Sequence, residues 1–159
     1  MNKRAIIKKI IARLTDELGT YFRAAQFSRA EATHESSKAE SKYDTRGLEA
    51  SYLVRGQSKQ AAELEAAIAE FEKLPVKKFG ADEPINLGAL VELEHGGENT
   101  IYFIGPRAGG TEVVHDKKEI LVITPQSPLG EQLMGKKSGD QPILTFGGTK
   151  QAAKILRVE

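Results

Sequence analysis

From residue 3 to about residue 40, apolar side chains recur in a four-three rhythm: Ile7, Ile11, Leu14, Leu18, Tyr21, Ala25, Ser28 and Ala32. That spacing puts them on one stripe of a helix facing a single partner helix. The stripe is Ile and Leu near its start and Ala and Ser further on, so it buries less area along its length. Gly19 costs such a helix about 1 kcal/mol relative to Ala, a tolerated defect or slight bend rather than a break. A second helical pattern runs from about Glu49 to Leu74 and carries Leu53, Ala61, Leu64, Ile68 and Phe71, with Gln57 or Gln60 between. Pro75 ends it, because proline disfavours helical geometry in the residue before it. Between the two patterns lies Lys42-Tyr43-Asp44-Thr45-Arg46-Gly47-Leu48-Glu49, with charges of both signs and no continuous apolar face. It is expected to be the tip of an antiparallel helical hairpin, a coiled coil spanning 1–74.

Two prolines and two glycines in residues 75–88 mark a linker. Beyond it the period switches from helical to alternating. Strands are expected at 89–94, 100–104 and 119–124, a turn at His95–Asn99, and a last hairpin from 142–146 and 150–158 around Gly147-Gly148. A glycine-rich turn falls at Arg107–Gly110. Ser127 and Pro128 suit the N-cap and first position of a short helix that Gly135 stops. The fold class is therefore α+β: a helical hairpin, then a small domain (89–159) with a mostly antiparallel sheet and one short helix.

Composition narrows the function classes. A formal net charge of +1 on 159 residues lacks the basic excess of a general nucleic-acid binder. With no cysteine, disulfides, thiolate zinc sites and cysteine nucleophiles are excluded. Charges interrupt the apolar start Met1–Ile11, which argues against a signal peptide. No window approaches the ~18 apolar residues of a membrane span, and a cytoplasmic, soluble monomer without membrane contact is expected.

Local motifs supply little chemistry by themselves. Gly130 to Ser138 nearly spells a phosphate-binding loop, but Lys137 stands where Ser or Thr is needed and the helix precedes the glycine instead of following it. His34-Glu35 opens a zinc-protease pattern that Lys38 fails to complete. His95 and His115 fall in or beside turns and are expected to be solvated. Asp44 and Glu49 have two readings: turn, cap and helix-dipole residues, or functional carboxylates at the tip. Lys38, Lys42, Arg46 and Arg55 could attract phosphates or acidic protein surfaces, or form a solvated mixed-charge helix surface.

One run is more telling. Ile123-Thr-Pro-Gln-Ser-Pro-Leu-Gly-Glu-Gln-Leu-Met-Gly-Lys-Lys-Ser-Gly-Asp140 resembles the GreA/GreB family of bacterial transcript-elongation factors. Those proteins carry a strand, Ser-Pro-(Leu/Ile), a short helix ending in Gly-Lys, and then Gly-Asp. The closing strand from Ala153 to Glu159 is similar too, and the order of hairpin, linker and domain extends the resemblance over essentially the whole chain. The resemblance implies an FKBP-like C-terminal domain that docks on RNA polymerase, with Thr124, Pro125, Ser127, Pro128 and Leu129 as docking candidates. It implies a hairpin that enters the polymerase secondary channel, where Lys42, Arg46 and Arg55 could contact polymerase or nascent RNA. In the family a tip Asp-x-x-Glu-Asn pattern helps hold a second Mg²⁺ in the polymerase's own active site. Two metals there stabilise the attacking and leaving oxygens as backtracked RNA is cut.

On this resemblance Asp44 matches the family's aspartate and would be the Mg²⁺ ligand shared with the polymerase. The family's glutamate falls on Gly47, or on Leu48 after a one-residue shift. Glu49 is the nearest later carboxylate and the second tip candidate. The chain is expected to be an accessory factor, not an enzyme, with no tightly bound cofactor. A non-cleaving or inhibitory channel regulator is the alternative. A prolyl isomerase on the FKBP-like domain ranks lowest, because its aromatic floor would have to come from Tyr102, Phe103 and Phe146.

Overall fold

The computed structural model describes the backbone of residues 1–33 and 46–159, and their side chains except those of 25, 28, 29, 31–33 and 46–57. Helix α1 spans Lys3–Thr33 and helix α2 Arg46–Lys73. Residues 34–45, which hold the first half of the expected tip (42–45), lie outside the described residues. The expected turn is shortened from its far side, since Arg46, Gly47, Leu48 and Glu49 are already helical. α1 continues through Gly19 without interruption.

Six strands follow: β1 (Leu90–His95), β2 (Glu98–Ile104), β3 (Glu112–His115), β4 (Lys118–Ile123), β5 (Ile143–Phe146) and β6 (Thr149–Val158). A short helix α3 (Pro128–Leu133) lies between β4 and β5. The sheet order is β3-β4-β2-β1-β6-β5. Every pairing is antiparallel except β2 with β4, which sets Ile101 beside Ile120 and Ile104 beside Ile123. The α+β class with a mostly antiparallel sheet is thus what the chain forms. β3 was not expected. It pairs with β4 through a turn at Asp116-Lys117, both at positive φ although neither is glycine. The hairpin of β1 and β2 is tighter than expected. Only Gly96 and Gly97 separate the strands, at φ 58° and 79°, the left-handed pair that a two-residue turn requires.

The chain divides into two compact units, Leu14–Ile68 and Met1–Arg13 with Ala69–Glu159. In the first, Leu14, Ala61 and Ala67 are buried. In the second, the sheet is covered on both faces. One face buries Val91, Leu93, Tyr102, Ile104, Leu144 and Ile155 together with Leu133 of α3. Phe79 and Ile85 join this core, so the stretch 75–88, expected as a linker, contributes core side chains. Ile85 also exchanges backbone hydrogen bonds with Lys136 and Gly135.

The opposite face receives Phe71, whose ring centroid lies 6.2 Å from that of Phe103. The first turns of α1 are tied to the sheet as well, since Lys9 Nζ donates to Val114 O at 2.6 Å and Lys3 Nζ to Gly88 O at 3.0 Å. Here the expected stripe is corrected. Ile6 and Ile10 are fully buried beside Ile7 and Leu14, while Ile11 is only half-buried. A helix base lying on a sheet needs a broader apolar face than a seam against one partner helix does. No helix of the described residues is long and apolar enough to cross a membrane.

Candidate functional site

The Ser127 motif is built from backbone outward. β4 ends at Ile123, and the chain turns through Thr124, Pro125 and Gln126 into α3. Ser127 Oγ accepts from Gly130 N at 3.1 Å and donates to Thr124 O at 2.7 Å. One hydroxyl therefore satisfies a free helix N–H and fixes the preceding turn. Pro128 takes the first helical position, where no N–H is needed. Gly130 is required by space: a Cβ there would stand 1.8 Å from Thr124 O. The helix ends at Leu133 with Met134 as its cap, and Gly135 follows at φ 81°.

Gln132 then locks α3 to the edge strand. Its Nε2 donates to Thr145 O at 3.1 Å and its Oε1 accepts from Thr145 N at 2.7 Å. The Gly135–Asp140 segment is a structural turn. Asp140 Oδ2 accepts from Lys137 N at 2.8 Å, and Gly139 N donates to Ile155 O at 2.8 Å. No helix follows Gly135-Lys136, so a phosphate-binding loop is absent here.

The five docking candidates thus lie together on one loop and the first turn of α3. Thr124, Pro125 and Ser127 are half-buried and Pro128 is exposed. Leu129 is half-buried and packs on the core. The tip candidates are a different matter. Lys42 and Asp44 lie outside the described residues, as do His34 and Lys38. Arg46, Glu49 and Arg55 sit on α2, and their side chains are outside the described set. Among the described residues no group of three His, Asp or Glu side chains is placed to hold a metal ion.

Both described histidines flank turns as expected, His95 before Gly96-Gly97 and His115 before Asp116-Lys117, but neither is simply solvated. His95 stacks on Phe146 with centroids 4.1 Å apart. His115 is buried, with Nε2 3.3 Å from Asp116 Oδ2 and no hydrogen-bond partner for Nδ1. Tyr102 and Phe103 are buried on opposite faces of the sheet. None of Tyr102, Phe103 and Phe146 lines the groove beside Lys3 and Phe79 or the groove beside Glu98 and Lys118.

Sequence reasoning missed a second cluster. Lys3 is almost fully buried, its Nζ donating to Lys77 O at 2.6 Å and to Gly88 O at 3.0 Å. The same Nζ lies 4.6 Å from the centroid of the Phe79 ring, and Lys77 Nζ lies 5.1 Å from it. Burial pushes the Lys3 ammonium down to about 8, against the attraction of Glu159 and Glu83 and with a smaller push from Lys77. Lys77 pairs in turn with Glu83, which also accepts from Gly80 N at 3.1 Å. The sequence signal was slight: a lysine in step with Ile6, Ile7 and Ile10.

No family model and no curated protein matches the chain. Solved structures do resemble it. GreA factor homolog 1 (Gfh1) of Thermus thermophilus is 22% identical, with 94% of each chain covered and a TM-score of 0.38. Another structure of the transcription factor Gfh1 is 23% identical over 95% of this chain and 94% of that one, with a TM-score of 0.40. Gfh1 of Thermus aquaticus is 25% identical with the same coverage and a TM-score of 0.40.

Proposed function

We propose that this protein is an accessory factor of bacterial RNA polymerase, acting in the manner of GreA/GreB proteins. The unit of residues 14–68 enters the secondary channel and the sheet unit docks at its rim. The observation that carries this reading is the string Ser127-Pro128-Leu129, Gly135-Lys136 and Gly139-Asp140 in a chain whose other half is two long helices. At ~1.5 Å per residue those helices are roughly 45 and 40 Å long, a reach suited to a deep channel. The loop from Thr124 to Leu129 supplies the docking surface. Any Mg²⁺ is held at the polymerase's own centre, with Asp44 as the contributed carboxylate.

A second reading is favoured by one sequence observation. Gly47, or Leu48 under the shifted alignment, stands where the family's glutamate would be. One carboxylate is a weaker ligand for a hard dication than two, so this factor occupies the channel and slows or regulates elongation without promoting cleavage. Co-precipitation with core polymerase tests the shared claim, and failure to bind ends both readings. Halted elongation complexes then separate them. RNA shortening that Asp44→Ala abolishes supports cleavage, whereas slowed elongation with intact RNA supports the regulator.

A further inference from the structure

A groove of about 560 Å³ opens beside the start of α1, lined by Lys3, Arg4, Val76, Lys77, Lys78 and Phe79 together with Met1, Asn2 and Glu159. Its size falls in the range of small-molecule sites. Four cationic side chains face one carboxylate, Glu159, which is itself bound by the Met1 amine and by Arg157 Nη1 at 3.0 Å. The cations are of two kinds. Lys3 and Lys77 each hold an ammonium on the Phe79 ring, and Lys77 acts on Lys3 as a like charge; among the described residues Lys77 pairs with a carboxylate, Glu83, and Lys3 does not. Arg4 and Lys78 are exposed, and their side chains form no hydrogen bond or ion pair among the described residues.

Holding like charges together costs energy that a shared counter-ion would recover. Two uncommitted side chains, one a planar guanidinium, provide the donors that oxyanions accept in charge-assisted bonds. We propose that this groove binds a small multivalent oxyanion, a pyrophosphate-like or polycarboxylate group, with Arg4 and Lys78 as its direct ligands and the ring-held Lys3 and Lys77 as a fixed positive floor. The site is independent of the polymerase reading, because it needs neither the tip nor the docking loop.

The test uses the full chain alone at constant ionic strength. Pyrophosphate and, separately, citrate are titrated while backbone amide shifts are followed by NMR. Saturable shifts confined to residues 2–4 and 76–79 are expected with at least one probe, and the stronger probe identifies the oxyanion source. The paired variant Arg4→Gln with Lys78→Gln should weaken that binding at least tenfold. The control pair Lys117→Gln with Lys118→Gln, in a separate groove, should leave it within twofold. Both variant pairs alter exposed side chains, and the dispersion of their free spectra reports that they fold. Shifts that fail to saturate with either probe, or equal weakening by the two pairs, overturn the proposal.

Discussion

Gly130 shows how a single residue can be fixed by space alone. Its Cα faces Thr124 O so closely that any side chain would collide with backbone, which cannot swing aside as a lysine tip could. Gly130→Ala is therefore expected to cost about 3 kcal/mol, the upper range for overpacking, and to loosen the Ser127 cap with it. Gly19 is the contrast. It lies within α1, and an added Cβ would meet Arg23 Nη1 at 3.3 Å, the movable end of a long side chain. Gly19→Ala should stabilise by up to about 1 kcal/mol. Urea denaturation of both variants measures the opposite signs.

Lys3 makes a different prediction at the same scale. Its folded value is about 8 against 10.5 for a free lysine. The unfolded chain therefore keeps this proton up to about pH 10.5, whereas the folded chain loses it from about pH 8. Between those values the unfolded state binds more protons, and stability contributed by this group rises with pH. Tyr102, whose phenol burial pushes up, acts in the opposite sense once pH exceeds 10. The slope is thus best read from pH 8 to 10, where the native chain should gain stability relative to Lys3→Met. Equal slopes for the two proteins would refute the assignment.

Among the elements, α3 and the β3-β4 turn rest on local chemistry that can be tested separately. Ser127→Ala removes both hydrogen bonds of the hydroxyl and should cost about 1 kcal/mol, seen as a lower urea midpoint. Lys117 sits at φ 62°, a left-handed conformation unfavourable for a lysine. Lys117→Gly should stabilise by up to about 1 kcal/mol, the relief of strain exceeding the added freedom of the unfolded chain. Which elements were legible in the sequence follows from the same physics. Gly96-Gly97, Ser127-Pro128 and Gly147-Gly148 announce their structures because few residues fit those backbone positions. β3 was invisible because four residues, Glu112–His115, show only two turns of alternation. Phe79 and Ile85 hid among prolines and glycines that mark a change of period and say nothing of burial. Ile6 and Ile10 were read past because a two-helix seam fits the same apolar run, and only the sheet beneath shows that the face is wider. Of the candidate site, the loop from Thr124 to Leu129 was legible through Ser-Pro. The groove cations were not, since Lys3 and Lys77 come together only when residues far apart in sequence meet on Phe79.

For the whole molecule, the two proposed readings differ in whether the tip's acidic residues or the scaffold would limit cleavage. Gly47 lies in the first turn of α2. Replacing it with glutamate exchanges a poor helix former for a good one, and puts negative charge where a helix N-terminus favours it. Gly47→Glu should therefore leave the fold intact while making Asp44-x-x-Glu, the spacing the resemblance associates with metal sharing. If the scaffold already reaches the polymerase centre, RNA shortening in halted complexes should rise at least tenfold in this variant. It should fall back when Asp44→Ala is added, because two carboxylates acting on one ion do not contribute independently. A parallel variant, Leu48→Glu, tests the shifted alignment in the same assay. Cleavage gained by one and not the other fixes which position faces the ion. If neither gains cleavage while both still co-precipitate with polymerase, the acid pair is not what limits cleavage, and of the two proposed readings the one that remains is occupancy of the channel.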